Sequence, residues 1–232
     1  MEDTHVIQDR FGGDPHAGFF GVFDGHGGID AAEIAADFLH THLLTELRTN
    51  SNVLNAMEKA FHATDARIGK EGLMYMGATA VCALVRHQGT DRMLYTANAG
   101  DARAVLCRDG RAVRLTYDHK ASDEEEQKRV SQGGGWIAMN RVNGVLAITR
   151  ALGDHAMKTS VISTPYTEQV TLRASDSILL LACDGVWDVL SDQEAVDVAR
   201  KQSTAQAMAD TLVSAALEAG SRDNISVLAV ML

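Results

Sequence analysis

Three aspartates of this 232-residue chain stand at the ends of short apolar runs: Asp24 follows GFFGVF, Asp184 follows SILLLAC, and Asp223 lies just ahead of ISVLAV. Each run reads as a buried strand, so two strands end and one begins with a carboxylate, and an antiparallel arrangement could bring all three to one sheet edge. Carboxylates gathered that closely repel one another and resist burial as anions unless cations compensate them. A metal site resolves the conflict. Oxygen ligands suit Mg²⁺ or Mn²⁺, whereas zinc calls for clustered cysteine and histidine; the nine histidines form no HExxH and the three cysteines no CxxC. Two such ions would lower the pKa of a water and clamp a phosphoryl group for in-line attack, which makes hydrolysis of a phosphate ester the natural chemistry. In Asp24-Gly25-His26-Gly27-Gly28 the glycines allow close backbone approach, so Gly25 could offer its carbonyl to a metal. His26, two residues from Asp24, is placed to protonate a leaving oxygen.

Other phosphate chemistries lack their parts. A cysteine nucleophile needs an arginine-closed phosphate loop, and the residues six after Cys82, Cys107 and Cys183 are Gln88, Val113 and Val189. No GxxxxGK[ST] loop occurs, and the glycines at 133 to 135 follow a helix-like stretch instead of opening one.

The elements that must position these residues come from periodicity. Gly18 to Phe23 reads as a strand closed by an Asp24-Gly25 turn, followed by a helix over Asp30 to Arg48 with Asp30 as N-cap. Ala35, Phe38, Leu39, Leu43 and Leu47 give that helix an apolar face, and Leu54, Met57, Phe61 and Ile68 give one to a second helix. Strands are expected over Ala78 to Arg86, Arg92 to Asn98, Ala102 to Arg108 and Arg111 to Leu115, the last two joined by an Asp109-Gly110 hairpin turn. Ser122 with Glu125, and Ser191 with Glu194, have capping-box spacing. A strand over Ile178 to Cys183, helices over Asp192 to Gln202 and around Ala205 to Ala215, and a strand over Ile225 to Val230 complete the pattern. Helix pairs alternating with antiparallel strands predict an α+β fold of packed sheets covered by helices. Trp136 and Trp187 are expected in the core, and Asp123 to Glu126 as a solvated first helical turn.

Composition bounds the rest. With 46% hydrophobic residues and neither repeats nor a linker-like tract, one domain is the default. The formal charge of −10 argues against nucleic acid or an anionic membrane surface as partner. No stretch approaches the ~18 to 20 apolar residues of a membrane span. Three cysteines, two of them inside apolar runs, fit a reducing compartment, cytoplasmic or nuclear or both.

The sequence resembles the metal-dependent protein phosphatases, the protein phosphatase 2C family. The matching blocks are MED (1 to 3), VFDGHGG (22 to 28), GATA (77 to 80), NAGDAR (98 to 103), DHK (118 to 120), RVNGVLAITRALGD (141 to 154), LACDGVWD (181 to 188) and SRDNISV (221 to 227). The resemblance implies a single catalytic domain over residues 1 to 232, built as an αββα sandwich of two antiparallel sheets flanked by pairs of helices. It implies removal of phosphate from phosphoserine and phosphothreonine in phosphoprotein substrates through a metal-activated water; a monomer is expected. Carried over by motif, Asp24 bridges two Mg²⁺ or Mn²⁺ ions, Asp184 and Asp223 complete one, and Glu2 with the Gly25 carbonyl serves the other. Asp101 and Asp188 resemble the holders of a weaker third ion, and His26 the general acid. Asp3, Asn224 and Arg150 are implied in support of the centre.

Family members usually carry, three residues before the methionine of MED, an arginine that binds the substrate phosphate. This sequence begins at that methionine, so the expectation is a domain without the family's first strand and with Glu2 on a terminus liable to fray. That start also admits an alternative: a weakly active or inactive form that binds phosphoproteins with little turnover.

Overall fold

The computed structural model describes residues 1–232. In chain order the elements are β1 (Asp3–Asp9), β2 (Gly18–His26), α1 (Asp30–Leu47), α2 (Val53–Lys70), β3 (Gly77–Gln88), β4 (Asp91–Ala99), β5 (Arg103–Arg108) and β6 (Arg111–Arg114). There follow α3 (Glu124–Gln132), β7 (Ile137–Ala138), β8 (Arg141–Val142), β9 (Leu152–Gly153), β10 (Tyr166–Thr171), β11 (Asp176–Ala182), α4 (Asp184–Trp187), α5 (Asp192–Ala199), α6 (Ala205–Glu218) and β12 (Val227–Met231). One antiparallel sheet runs β1-β2-β3-β4-β10, with β9 added to the end of β3; the other runs β12-β11-β5-β6.

Strand alternation divides the side chains into three apolar layers. Between the sheets, Val22, Val81, Ala83 and Leu94 meet Ala104, Leu106, Leu179 and Leu181. The intervening residues Phe19, Phe23, Ala80, Cys82 and Leu84 face outward onto Leu39 and Leu43 of α1 and Met57 and Phe61 of α2. On the far side Val105, Cys107, Ile178 and Leu180 face Val196 of α5 and Met208 and Leu212 of α6. The result is the expected order of helix pair, sheet, sheet, helix pair. No helix is long and apolar enough to cross a membrane.

Several local expectations are corrected. Asp24-Gly25 is not a turn: β2 continues through His26 because β1 and β3 pair with it on both sides, and that pairing overrides the local turn preference. Asp30 is the first helical residue and makes no side-chain cap; Ile29 precedes it at the cap position. Asp123, not Ser122, caps α3, accepting from the N–H groups of Glu125 and Glu126 at 3.1 and 3.0 Å. Trp136 is 54% exposed, whereas Trp187 is buried and donates its indole N–H to the Ala182 carbonyl at 2.8 Å. The Asp109-Gly110 hairpin has the expected positive φ at both residues (52° and 75°), and the Ser191–Glu194 capping box forms. Strand β10 is an addition, an edge strand on β4.

Because Leu179 is fully buried between the sheets, Leu179→Ala should lower unfolding free energy by about 2 to 5 kcal/mol, measured by urea denaturation. A loss below about 1 kcal/mol would mean that the inter-sheet layer is not close-packed.

Candidate metal centre at one end of the sandwich

The candidate residues gather where both sheets present corresponding strand ends. In the first sheet Asp3 lies directly opposite Asp24, and Asp24 directly opposite Thr79, so three oxygen-bearing side chains form a row across β1, β2 and β3. By alternation Asp24 and His26 share the face of Val22, which looks into the space between the sheets. In the second sheet Ala182 pairs with Arg103 on one side and Val227 on the other. Asp184, Asp101 and Asp223 therefore leave that sheet at the same end.

Close backbone contacts hold the ends together. A Cβ on Gly185 would sit 2.1 Å from the Asn224 carbonyl, so only glycine lets the first turn of α4 approach the loop carrying Asp223. Asn224 in turn accepts from the Glu2 backbone N–H at 2.8 Å, and the Glu2 carbonyl accepts from Gly25 at 3.2 Å. Glu2 is thereby held through both its N–H and its carbonyl. Asn98, buried in β4, reaches the carbonyls of Gly100, Ala102 and Tyr117 and fixes the turn that bears Asp101. His119 adds a second clasp, its Nδ1 being 3.0 Å from the Gly100 carbonyl. Burial, aided by Arg150, pushes the His119 ring down to about 3.

The electrostatics are those of a site made for cations. Burial and then the neighbouring charges of Asp184, Asp3, Asp101 and Asp223 push the Asp24 carboxyl far above the ordinary carboxylate range. Asp184 is raised by burial and by Asp101, Asp188 and Asp223. Both carboxylate oxygens of Asp3 and the Thr79 hydroxyl are buried without any hydrogen-bond partner. Asp3, Asp24 and Cys183 place ligand atoms within 4.8 Å of one another. Burial and Asp3 push the Cys183 thiol up, and it is engaged by the Ser226 N–H and the Asn224 carbonyl, so it is a neutral structural group. The remaining donors are all oxygen, which fits Mg²⁺ or Mn²⁺ and not zinc.

The other candidates fall into place around this row. Asp223 is exposed, yet near enough to raise both Asp24 and Asp184. Lys120 reaches Asp188 at 2.7 Å and Asp101 at 3.4 Å, so its ammonium is shared by the pair matched to a third ion. His26 Nε2 lies 2.8 Å from Asp154 Oδ2. Arg150 does not reach the carboxylate row; it binds Glu126 at 2.7 Å and the Thr164 carbonyl at 2.9 Å. Glu126, 3% exposed, is correspondingly no solvated residue. Burial opposes its charge, but hydrogen bonds from Arg150, Arg129 and Thr149 outweigh that and hold it down to about 2. Thr79 and Asp154 were not singled out from sequence: a threonine in GATA carries no chemical signal by itself, and Asp154 meets His26 across 128 positions of chain.

These shifts set a pH dependence. With carboxyl pKa values raised in the folded state, the unfolded chain releases its protons first, so stability is present at low pH and is lost as pH rises through the folded values. His119, lowered from 6.5, acts in the opposite sense but only below pH 6.5. In EDTA, Tm should therefore fall as pH is raised above 6.5, and saturating Mn²⁺ should flatten that fall. A Tm equally flat in EDTA would show that the carboxylates do not repel.

With this geometry in place, comparison with known proteins is direct. The family model for protein phosphatase 2C matches residues 1–225. Protein phosphatase 2C homolog 1 of Schizosaccharomyces pombe is 46% identical over 238 residues, which take in 100% of this chain and 69% of that protein. Its Saccharomyces cerevisiae namesake is 40% identical over 247 residues, 100% of this chain and 88% of that protein. A solved structure described as a C. elegans sex determining protein is similar with a TM-score of 0.89 and 29% identity, covering 99% of this chain and 61% of its own. A serine-threonine phosphatase 2C from Toxoplasma gondii shares the fold at a TM-score of 0.83 and 23% identity, covering 99% of this chain and 90% of its own. Matched from end to end by these relatives, the chain belongs to the protein phosphatase 2C family, the metal-dependent serine/threonine protein phosphatases.

Proposed function

We propose that the chain hydrolyses phosphoserine and phosphothreonine in protein substrates at the carboxylate row, with two divalent ions held there. The observation that carries this reading is the line Asp3, Asp24 and Thr79, whose buried oxygens include three without any partner. Asp24 would bridge the two ions, Asp184 and Asp223 would complete one, and Glu2 with the Gly25 carbonyl would serve the other. Asp101 and Asp188 would hold a third, weaker ion. Bound Mg²⁺ or Mn²⁺ supplies charge to the phosphoryl oxygens and lowers the pKa of the attacking water.

The chain's own residues do the remaining work. Asp3 and Asn224 orient the inner ligands, Asn224 by fixing the backbone of Glu2. His26, its side chain 27% exposed, is open to substrate and donates a proton to the departing serine or threonine oxygen. The formal charge of −10 supports a protein partner rather than nucleic acid. The assembly proposed is a monomer.

Phosphate release from a phosphothreonine peptide should require Mn²⁺ or Mg²⁺ and stop in EDTA. Asp184→Asn should reduce kcat/KM by about 100-fold or more. Turnover that persists without divalent metal would overturn the reading. At the weaker position an ammonium and a metal ion are alternatives, so Lys120→Met should change the weakest Mn²⁺ affinity measured by calorimetry. An unchanged titration would show that Lys120 does not compete there.

A further inference from the structure

The segment that follows β9 carries a side chain arrangement that the metal chemistry leaves unused. Asp154 is buried at 1% exposure, and its Oδ1 has no partner at all. Its other oxygen has a single partner, His26 Nε2 at 2.8 Å. The His26 Nδ1 makes no hydrogen bond with the protein. A carboxylate buried for stability alone is ordinarily satisfied at both oxygens, so this one is placed at a cost.

The backbone is shaped for the contact. Asp154 adopts the left-handed conformation (φ 51°, ψ 39°), unfavourable for a residue other than glycine. Its N–H donates to the Met76 carbonyl at 2.9 Å, and β9 pairs Gly153 with Gly77. A Cβ on Gly77 would lie 2.2 Å from Asp154 Oδ2 and 2.5 Å from His26 Nε2, so the glycine leaves the room that the two side chains occupy. Behind them Asp65 of α2 accepts from the Gly153 N–H and from Lys158 Nζ, both at 2.8 Å. Lys158 also donates to the Ala151 carbonyl at 3.2 Å, which fixes the segment from both sides of Asp154.

We propose that Asp154 is the positioning residue of His26: it accepts from Nε2–H and so leaves Nδ1 as the atom that gives the proton to the leaving serine or threonine oxygen. This rests on the reading of His26 as general acid. As the water oxygen bonds to phosphorus and the ester O–P bond breaks, the departing oxygen takes the Nδ1 proton. The ring, cationic with a hydrogen on each nitrogen before the transfer, is left neutral with its hydrogen on Nε2, facing Asp154. The proton released by the attacking water restores Nδ1 through solvent, so the ring starts the next turnover in the same orientation. Asp154, at 1% exposure with His26 as its one side-chain partner, acts through the ring.

Loss of proton donation matters most for a poor leaving group, which separates positioning from general structural damage. With Mn²⁺ saturating, Asp154→Ala should lower kcat for phenyl phosphate by about 10- to 100-fold and for p-nitrophenyl phosphate by less than about threefold. KM and Mn²⁺ affinity should stay as in the wild type. Gly77→Ala, which forces the pair apart while keeping both side chains, should show the same split, as should His26→Asn. Equal losses on both substrates in Asp154→Ala, beside a clear split in His26→Asn, would overturn the role of Asp154 and leave His26 as the acid. No split in His26→Asn would instead remove the acid assignment, and this inference with it. Ring ¹⁵N NMR of the unsubstituted protein needs no variant to fold: the neutral His26 ring should carry its hydrogen on Nε2, and a hydrogen on Nδ1 would refute the proposal.

Discussion

Two like charges set directly across from each other on neighbouring strands shape this molecule. In an ordinary sheet the pairing of Asp3 with Asp24 would be selected against, because opposed carboxylates repel and burial of Asp3 makes its charge costly. Here the pair is kept and enlarged: Thr79 extends it across a third strand, and Asp184 and Asp101 approach from the second sheet. Much of the surrounding structure can be understood as what is required to hold negative oxygens at close range until a cation joins them.

That requirement explains why polar clasps concentrate at one end of an otherwise apolar sandwich. Three apolar layers align the sheets, but hydrophobic packing is non-directional and cannot by itself place a carboxylate to within a fraction of an ångström. Directional bonds do that locally. Asn98 and His119 fix the turn before Asp101, and Gly185 permits the close seat against Asn224. Asn224 in turn holds Glu2. The more distant hub of Glu126 with Arg129, Arg150 and Thr149 performs a parallel task for the segment leading to Asp154.

How much of this was legible in the sequence follows from the range of the interactions. The layered fold was readable because buried strands such as Ile178 to Ala182 are continuous apolar runs and the helices keep a clear apolar face. Asp24, Asp184 and Asp223 stood out because a charge at the border of such a run is conspicuous. Strand β10 was not readable: YTEQVT is half-exposed and polar, and only its pairing with β4 makes it a strand. The Asp24-Gly25 pair misled as a turn because its two sheet partners lie elsewhere in the chain. Arg150 looked like part of the centre by motif, but its partner Glu126 was hidden in an acidic run that reads as solvated surface.

The hydrogen bond from the Glu2 backbone to Asn224 joins residues 222 positions apart. During synthesis from the N-terminus, Asp3 and Asp24 emerge early, while Asp223 and Asn224 emerge only after every other element except β12. The end of the sandwich that gathers the carboxylates is thus closed by residues far apart in the order of synthesis. The carboxylates of the first sheet are therefore made well before the loop that ties Glu2 in place.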